Sequence, residues 1–201
     1  MRNPFSDARF LLSVAQLQQL PLPDMAEVAF AGRSNSGKSS ALNALCGHKG
    51  LARVSKTPGR TQLLNFFELA DARLVDLPGY GFAQVPQEVR RQWGPLINGY
   101  LRQRECLRGI VLIMDIRHPL TDFDKQMLSW AHDGGRAVHI LLTKSDKLSP
   151  SAARQALKTV GTELARQNHA ASVQLFSAQT KTGVEEARRQ LLIWLGLGEQ
   201  G

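Results

Sequence analysis

Short apolar runs recur along the chain. Most of them end in a polar turn that leads into a segment with apolar residues at helical spacing. Glu27-Val28-Ala29-Phe30-Ala31 predicts a short buried strand and Ser40 to Leu45 a helix behind it. Gln62 to Leu69 and Ala72 to Asp76 predict two strands folded back at Ala70-Asp71, a hairpin. Gly109 to Asp115 is apolar throughout, as in a parallel sheet covered on both faces, and Val138 to Thr143 and Val173 to Phe176 read similarly. Helices are predicted from Pro86 to Arg104, from Thr121 to His132 with Thr121 as cap and Asp124 three residues on, and from Val184 to Leu195. A long helix runs from Ser149 at the N-cap and Pro150 at N1 to about Gln167. Residues 9 to 20, ahead of Pro21 and Pro23, suit an edge strand and a short turn; Gly47 to Gly59 reads as a loop. Strands alternating with helices predict an α/β fold: a doubly wound, mostly parallel sheet with one antiparallel hairpin strand and helices on both faces. No repeat or linker divides it. The expected organisation is an N-terminal extension with an edge strand over residues 1–23 and a single domain over residues 24–198.

The turn between the first buried strand and its helix carries chemistry. Gly32-Arg33-Ser34-Asn35-Ser36-Gly37-Lys38-Ser39 fits the phosphate-loop pattern G-x-x-x-x-G-K-[ST]. Gly32 and Gly37 let backbone N–H groups close around a phosphate without a Cβ in the way. Lys38 places a point charge on the β- and γ-phosphates, the Ser39 hydroxyl suits Mg²⁺, and the helix N-terminus favours the anion. The expected ligand is a nucleotide.

In doubly wound sheets ligands lie at the carboxyl ends of the strands, so the loops that follow the other strands test this reading. One is Asp76-Leu77-Pro78-Gly79, where a carboxylate can hold Mg²⁺ through water and a glycine amide can sense a γ-phosphate. Another is Thr143-Lys144-Ser145-Asp146. The Asp146 carboxylate can accept from the N1–H and 2-amino groups of guanine, a donor pair adenine lacks, and the Lys144 stem can cover the base. A third is Phe176-Ser177-Ala178, whose backbone could reach the guanine O6.

Charge adds a possible partner. The net charge is +8, and no Asp or Glu lies between Val28 and Phe67, where Arg33, Lys38, Lys49, Arg53, Lys56 and Arg60 fall. Arg33 and Lys38 belong to the phosphate loop. The other four suit either a solvated surface or electrostatic, shape-based contact with a polyanion such as RNA. No apolar run approaches the roughly 18 residues of a membrane span. Met1 to Asp7 has no signal-peptide core, and Cys46 and Cys106 suggest no disulfide framework. A cytoplasmic location is expected. Cys46 and Cys106 read as core thiols and Trp93, Trp130 and Trp194 as packing residues. Arg90, Arg91, Arg102, Arg104 and Arg108 read as the solvated face of a basic helix, and Asp115, Arg117 and His118-Pro as a structural turn.

Taken together, Gly32 to Ser40, Ser55-Lys-Thr-Pro-Gly-Arg-Thr-Gln62, Asp76-Leu-Pro-Gly-Tyr-Gly81, Asp115-Ile-Arg-His-Pro-Leu120 and Leu142-Thr-Lys-Ser-Asp-Lys147 resemble the EngB (YihA/YsxC) family of bacterial GTP-binding proteins. The resemblance spans nearly the whole chain, Phe10 to Leu20 included. It implies a P-loop GTPase domain and a cytoplasmic, Mg²⁺-dependent GTPase that acts as a switch in assembly of the large (50S) ribosomal subunit. The family is needed for normal cell division and septation. The implied partners are that subunit or its precursor, with no DNA and no membrane, and the protein is expected to be a monomer. Gly59, Arg60, Thr61, Gln62 and Leu63 would join the nucleotide contacts. Thr61 would be the second Mg²⁺ ligand beside Ser39, in preference to Thr57. Lys38, Thr61, Gly79 and Asn35 would serve hydrolysis, with Asn35 resembling residues that help to hold a K⁺ near the transferring phosphate. Tyr80 stands where many GTPases carry a water-orienting Gln, so a slow intrinsic rate is expected. Ser36 departs from the commoner Val or Ala, with no obvious consequence. The competing readings are a P-loop kinase of a small molecule and a GTP-regulated interaction protein of the division machinery. Asp146→Asn tests the base reading. It should abolish the preference for GTP over ATP in equilibrium binding, because an amide presents a donor where acceptors are needed; unchanged discrimination would remove Asp146 from that role.

Overall fold

The computed structural model describes residues 3–52, 63–79, 87–167, 169 and 171–198. Its strands are β1 (Arg9–Val14), β2 (Ala26–Gly32), β3 (Leu64–Glu68), β4 (Ala72–Asp76), β5 (Leu107–Asp115), β6 (Ala137–Thr143) and β7 (Ala171–Leu175). They form one sheet in the order β1-β3-β4-β2-β5-β6-β7. Only β3 runs against its neighbours, pairing antiparallel with β1 and with β4, while the other pairings described are parallel. The helices are α1 (Lys38–Cys46), α2 (Gln87–Gln103), α3 (Asp122–Asp133), α4 (Pro150–Arg166) and α5 (Val184–Leu195).

Alternation along the central strands builds two cores, because successive side chains of a strand point to opposite faces. Ala29, Ala31, Ile110, Leu112, Met114, Ile140 and Leu142 face α2, α3 and α4, where Tyr100, Leu101, Met127, Leu128 and Val160 meet them. Val28, Phe30, Val111, Ile113 and Leu141 face α1 and α5, where Leu42, Leu45, Leu191 and Leu195 lie, with Phe5 from the N-terminal segment. The expected doubly wound sheet is therefore present, with α2, α3 and α4 on one face and α1 and α5 on the other. Thr121 and Ser149 cap α3 and α4 as their sequences predict, and Thr121 forms a reciprocal capping box with Asp124. Cys46 and Cys106 are buried core thiols. Burial pushes the first up to about 12 and the second to about 11, so both stay protonated. Trp130 and Trp194 pack against the two cores.

The basic helix needs correction. α2 ends at Gln103; Arg104 lies beyond it and is buried, while Arg108 belongs to β5. The side chain of Arg104 donates to both carboxylate oxygens of fully buried Glu27, at 2.9 and 2.6 Å, and to the Pro21 carbonyl at 2.8 Å. The hydroxyl of buried Tyr100 also donates to Glu27, at 2.9 Å, and Arg73 ties the Leu22 carbonyl and Asp24 at 2.7 and 2.9 Å. A carboxylate cannot be buried alone, so a guanidinium that composition alone assigns to solvent is drawn inward. This network fixes the approach to β2, at the end of the sheet remote from the loops that follow the strands. Arg104→Ala should destabilise the fold by about 3–5 kcal/mol, since it strands a buried charge. Urea unfolding followed by circular dichroism checks this, and a loss of under about 1 kcal/mol would mean that water had replaced the guanidinium.

Candidate guanine-nucleotide site

The loop from Gly32 to Ser39 leaves the end of β2 and enters α1. A Cβ on Gly32 would lie 2.8 Å from the Ile113 carbonyl oxygen and from Ser36 Oγ, so the loop closes only on glycine there. Gly37 has a φ of +98° and stands as the residue before α1, a conformation L side chains rarely adopt. The loop thus ends on the N-terminus of α1, where the first N–H groups of a helix lack a partner within the helix itself. Lys38 reaches across to pair with Asp76 at the end of β4, with both side chains 11% exposed. The two charges that sequence patterning assigns to phosphate and metal thus meet each other directly.

Leu77, Pro78 and Gly79 follow Asp76, and the Leu77 N–H donates to the Phe30 carbonyl at 2.9 Å, which continues the β2–β4 ladder towards the loop. A Cβ on Gly79 would stand 3.6 Å from the Ser34 Cα, so the two loops approach closely.

The end of β6 supplies the third wall. The Thr143 hydroxyl donates to the Ser36 carbonyl at 2.5 Å and lies 3.0 Å from that of Met114. Lys144, left-handed at φ 59°, donates from Nζ to the Asn35 carbonyl at 2.7 Å and pairs with Asp115 at 2.9 Å. Asp146 accepts from the Ser177 hydroxyl at 2.6 Å and pairs with Lys147 at 3.2 Å. The Ser177 bond is the main cause that holds the Asp146 carboxyl below its ordinary value, so it is ionised at neutral pH. Ser145 N–H donates to the Phe176 carbonyl at 3.2 Å, which binds the two loops together. Ser177 N–H donates to the Thr182 carbonyl at 3.0 Å, so of the two predicted backbone contacts for O6 the Ser177 N–H is already engaged.

Behind Ser177 lies a polar set, buried at His139 and Gln174, that the sequence reading missed. Gln174 donates from Nε2 to the Gly183 carbonyl at 2.7 Å, so its Oε1 accepts from His139 Nε2 at 2.8 Å. His139 Nδ1 then accepts from the Ser172 hydroxyl at 2.7 Å. Burial holds His139 below its ordinary pKa, and the neutral ring fixes the strand that leads into the Ser177 loop.

Sixteen residues of the predicted nucleotide site, from Gly32 to Ser39, Asp76 to Gly79 and Thr143 to Asp146, come together at one rim of the sheet, as do Phe176, Ser177 and Ala178. Gly59, Arg60, Thr61 and Gln62 lie outside the described residues, as do Arg53, Lys56, Thr57 and Tyr80; Leu63 is described, immediately before β3. The harmless reading of Ser36 needs correction: its hydroxyl is buried, 1% exposed, with no partner among the described residues. Asp115 and His118 do form the expected turn, His118 N–H donating to the Asp115 carbonyl at 3.0 Å. The contact of Asp115 with Lys144 was not expected.

A phosphate loop, an acidic strand end and an ionised carboxylate in the loop after β6 are the features of a P-loop GTPase. Residues 27–144 match the family described as 50S ribosome-binding GTPase. The chain belongs to the EngB family of GTP-binding proteins. It is 58% identical over 193 residues to EngB of Azoarcus sp. (strain BH72), covering 95% of this chain and 92% of that protein. Against EngB of Coxiella burnetii (strain CbuG_Q212) the identity is 51% over 191 residues, covering 94% and 93%. Among solved structures, a GTP-binding protein engB is similar at a TM-score of 0.67 and 19% identity, covering 85% of this chain and 99% of that one. Era in complex with MgGDPNP and a segment of 16S ribosomal RNA gives 0.66 at 21% identity, covering 89% and 59%. At those identities the two structures speak for the fold alone.

Ser36→Ala should raise the stability of the nucleotide-free protein by about 1 kcal/mol, because it removes an unpartnered buried hydroxyl. A thermal melt reads the effect, and a lowered midpoint would show that the hydroxyl has a partner.

Proposed function

We propose that the chain is a Mg²⁺-dependent GTP switch in assembly of the large ribosomal subunit. The observation that carries the nucleotide part is the meeting of the Gly32–Ser39 loop, Asp76–Gly79 and the Asp146–Ser177 pair at one rim. In this reading the loop amides and Lys38 hold the phosphates, Asp146 reads guanine, and Ala178 reaches O6. The described oxygen donors fit a hard cation: Ser39 offers a hydroxyl, the Asp76 carboxylate can hold the ion through water, and phosphate oxygens and further water complete such a shell. Thr61 is the second protein ligand, and Gly59, Arg60, Gln62 and Leu63 complete the nucleotide contacts. Bound Mg²⁺ would neutralise charge on the phosphates, while Lys38 exchanges Asp76 for phosphate oxygens. Asn35, with Gly79 and Thr61, serves hydrolysis, K⁺ being the cation it would help to hold. Residues 24–198 form the nucleotide-binding unit and residues 1–23 its extension.

The ribosomal part is supported by the description of the matching family as a 50S ribosome-binding GTPase. Lys49, Arg53, Lys56 and Arg60 supply the positive charge for such contact. We place the protein in the cytoplasm as a monomer, with its part in division and septation following from ribosome supply. Among the described residues no helix is long and apolar enough to cross a membrane. A small-molecule kinase would leave the ionised Asp146–Ser177 pair without a task.

Co-sedimentation with large ribosomal subunits tests the proposal. Binding should be stronger with a GTP analogue than with GDP. Neutralising Lys49, Arg53 and Lys56 together should flatten its salt dependence by up to about 0.7–0.9 log units per lost phosphate contact. Normal binding by the triple variant at physiological salt would remove these three cations from the contact. The metal is tested separately with Asp76→Asn, which should lose most of the gain in GTP affinity that Mg²⁺ confers; an unchanged gain would take Asp76 out of the metal site.

A further inference from the structure

We propose that Asp115 is a positioning residue of the guanine-nucleotide site and acts through Lys144. The inference rests on the nucleotide reading above and extends it to the turn after β5, which the sequence assigns only a structural part.

Asp115 is 6% exposed, so its carboxylate needs partners, and it has cations on two sides. Its Oδ1 accepts from the Arg117 N–H at 3.1 Å and from Arg117 Nε at 2.9 Å. Its Oδ2 accepts from Arg117 Nη2 at 2.6 Å and lies 2.9 Å from Lys144 Nζ. Burial alone would raise its pKa, but the bonds from Arg117 and Lys144 outweigh burial and hold the carboxyl well below the usual carboxylate range. A negative charge is therefore present at any pH where the fold is studied.

The turn alone would need only Oδ1 and the Arg117 N–H. The contact on Oδ2 is additional and lies towards the site. Lys144 occupies a left-handed conformation that a lysine rarely adopts, so its surroundings must hold it there. Its ammonium is shared between Asp115 and the Asn35 carbonyl, and Asn35 is itself left-handed, at φ 62°. A line of contacts thus runs from Arg117 through Asp115 and Lys144 to the backbone of the phosphate loop. One carboxylate fixes the ammonium and the ammonium fixes the loop, so the stem between them is held ready to cover a guanine ring.

Asp115→Asn is the informative variant. The amide oxygen can keep the turn by accepting the Arg117 N–H, while the amide nitrogen presents hydrogens to Lys144 and releases it. Equilibrium binding of GDP should weaken about tenfold, the loss expected for a charge-assisted bond that organises a site. Lys144→Ala should weaken binding by at least as much. In the Lys144→Ala background the Asp115→Asn change should have almost no further effect, because its route has been removed. Thermal melting of each nucleotide-free variant guards against loss of fold, and Asp115→Glu, which keeps the charge, should recover part of the affinity. An Asp115→Asn change that leaves the Kd unaltered, or costs the same factor with and without Lys144, overturns the proposal while leaving the nucleotide site standing. A wild-type protein that bound GDP no better than ADP would instead overturn the reading of the site on which it rests.

Discussion

The site depends on one tie: the end of β6 holds the loop that follows β2. Thr143 and Lys144 contact the Ser36 and Asn35 carbonyls of a loop that lies more than a hundred residues earlier in the chain. A phosphate loop is a ring of N–H groups, and it binds an anion well only when those groups already converge. In the nucleotide reading proposed above, the loop that would recognise a base therefore also shapes the loop that would hold its phosphates. A change at either end would be felt at the other.

The second electrostatic fact is that Lys38 and Asp76 satisfy each other. Two charges brought to one rim for a ligand would be costly to leave unpaired when side chains are nine-tenths buried. Their pairing removes that penalty. In the proposed function a triphosphate with a divalent cation would offer each partner an equivalent charge, so that the site would be stable without its ligand and still able to take it up. The Glu27–Arg104 network at the other end of the sheet has no such exchange open to it, being closed over by Tyr100 and the Pro21–Leu22 backbone.

Much of this was legible in the sequence because it is local. The period-two alternation of Val28, Ala29, Phe30 and Ala31, the caps at Thr121 and Ser149, and the eight residues from Gly32 to Ser39 each carry their meaning within a few positions. Element ends were less legible: α1 begins at Lys38 rather than Ser40, and β5 at Leu107 rather than Gly109. What escaped was determined by distant partners. Arg104 reads as one more surface arginine until Glu27 is placed beside it. Ser36 reads as harmless until the packing of Ile113 and Gly32 encloses its hydroxyl. Asp115 reads as a turn until Lys144 is brought within 2.9 Å. In each case the missing information was a contact across the sheet, which spacing along the chain does not encode.

The strand order also bears on how the molecule assembles. β2 lies in the middle of the sheet, yet its neighbours are made much later: Ala26 pairs with Ala72, and Glu27 with Leu107. The threonine that fastens the loop beyond β2 is later still. Chains with such distant pairings search longer before native contacts repay the entropy of closing the intervening segments. The most local motif in the sequence thus cannot gain its ties to Thr143 and Lys144 until β6 has been made. A chain that has emerged only as far as β4 carries every residue of the phosphate loop but lacks the strands that would hold it in place.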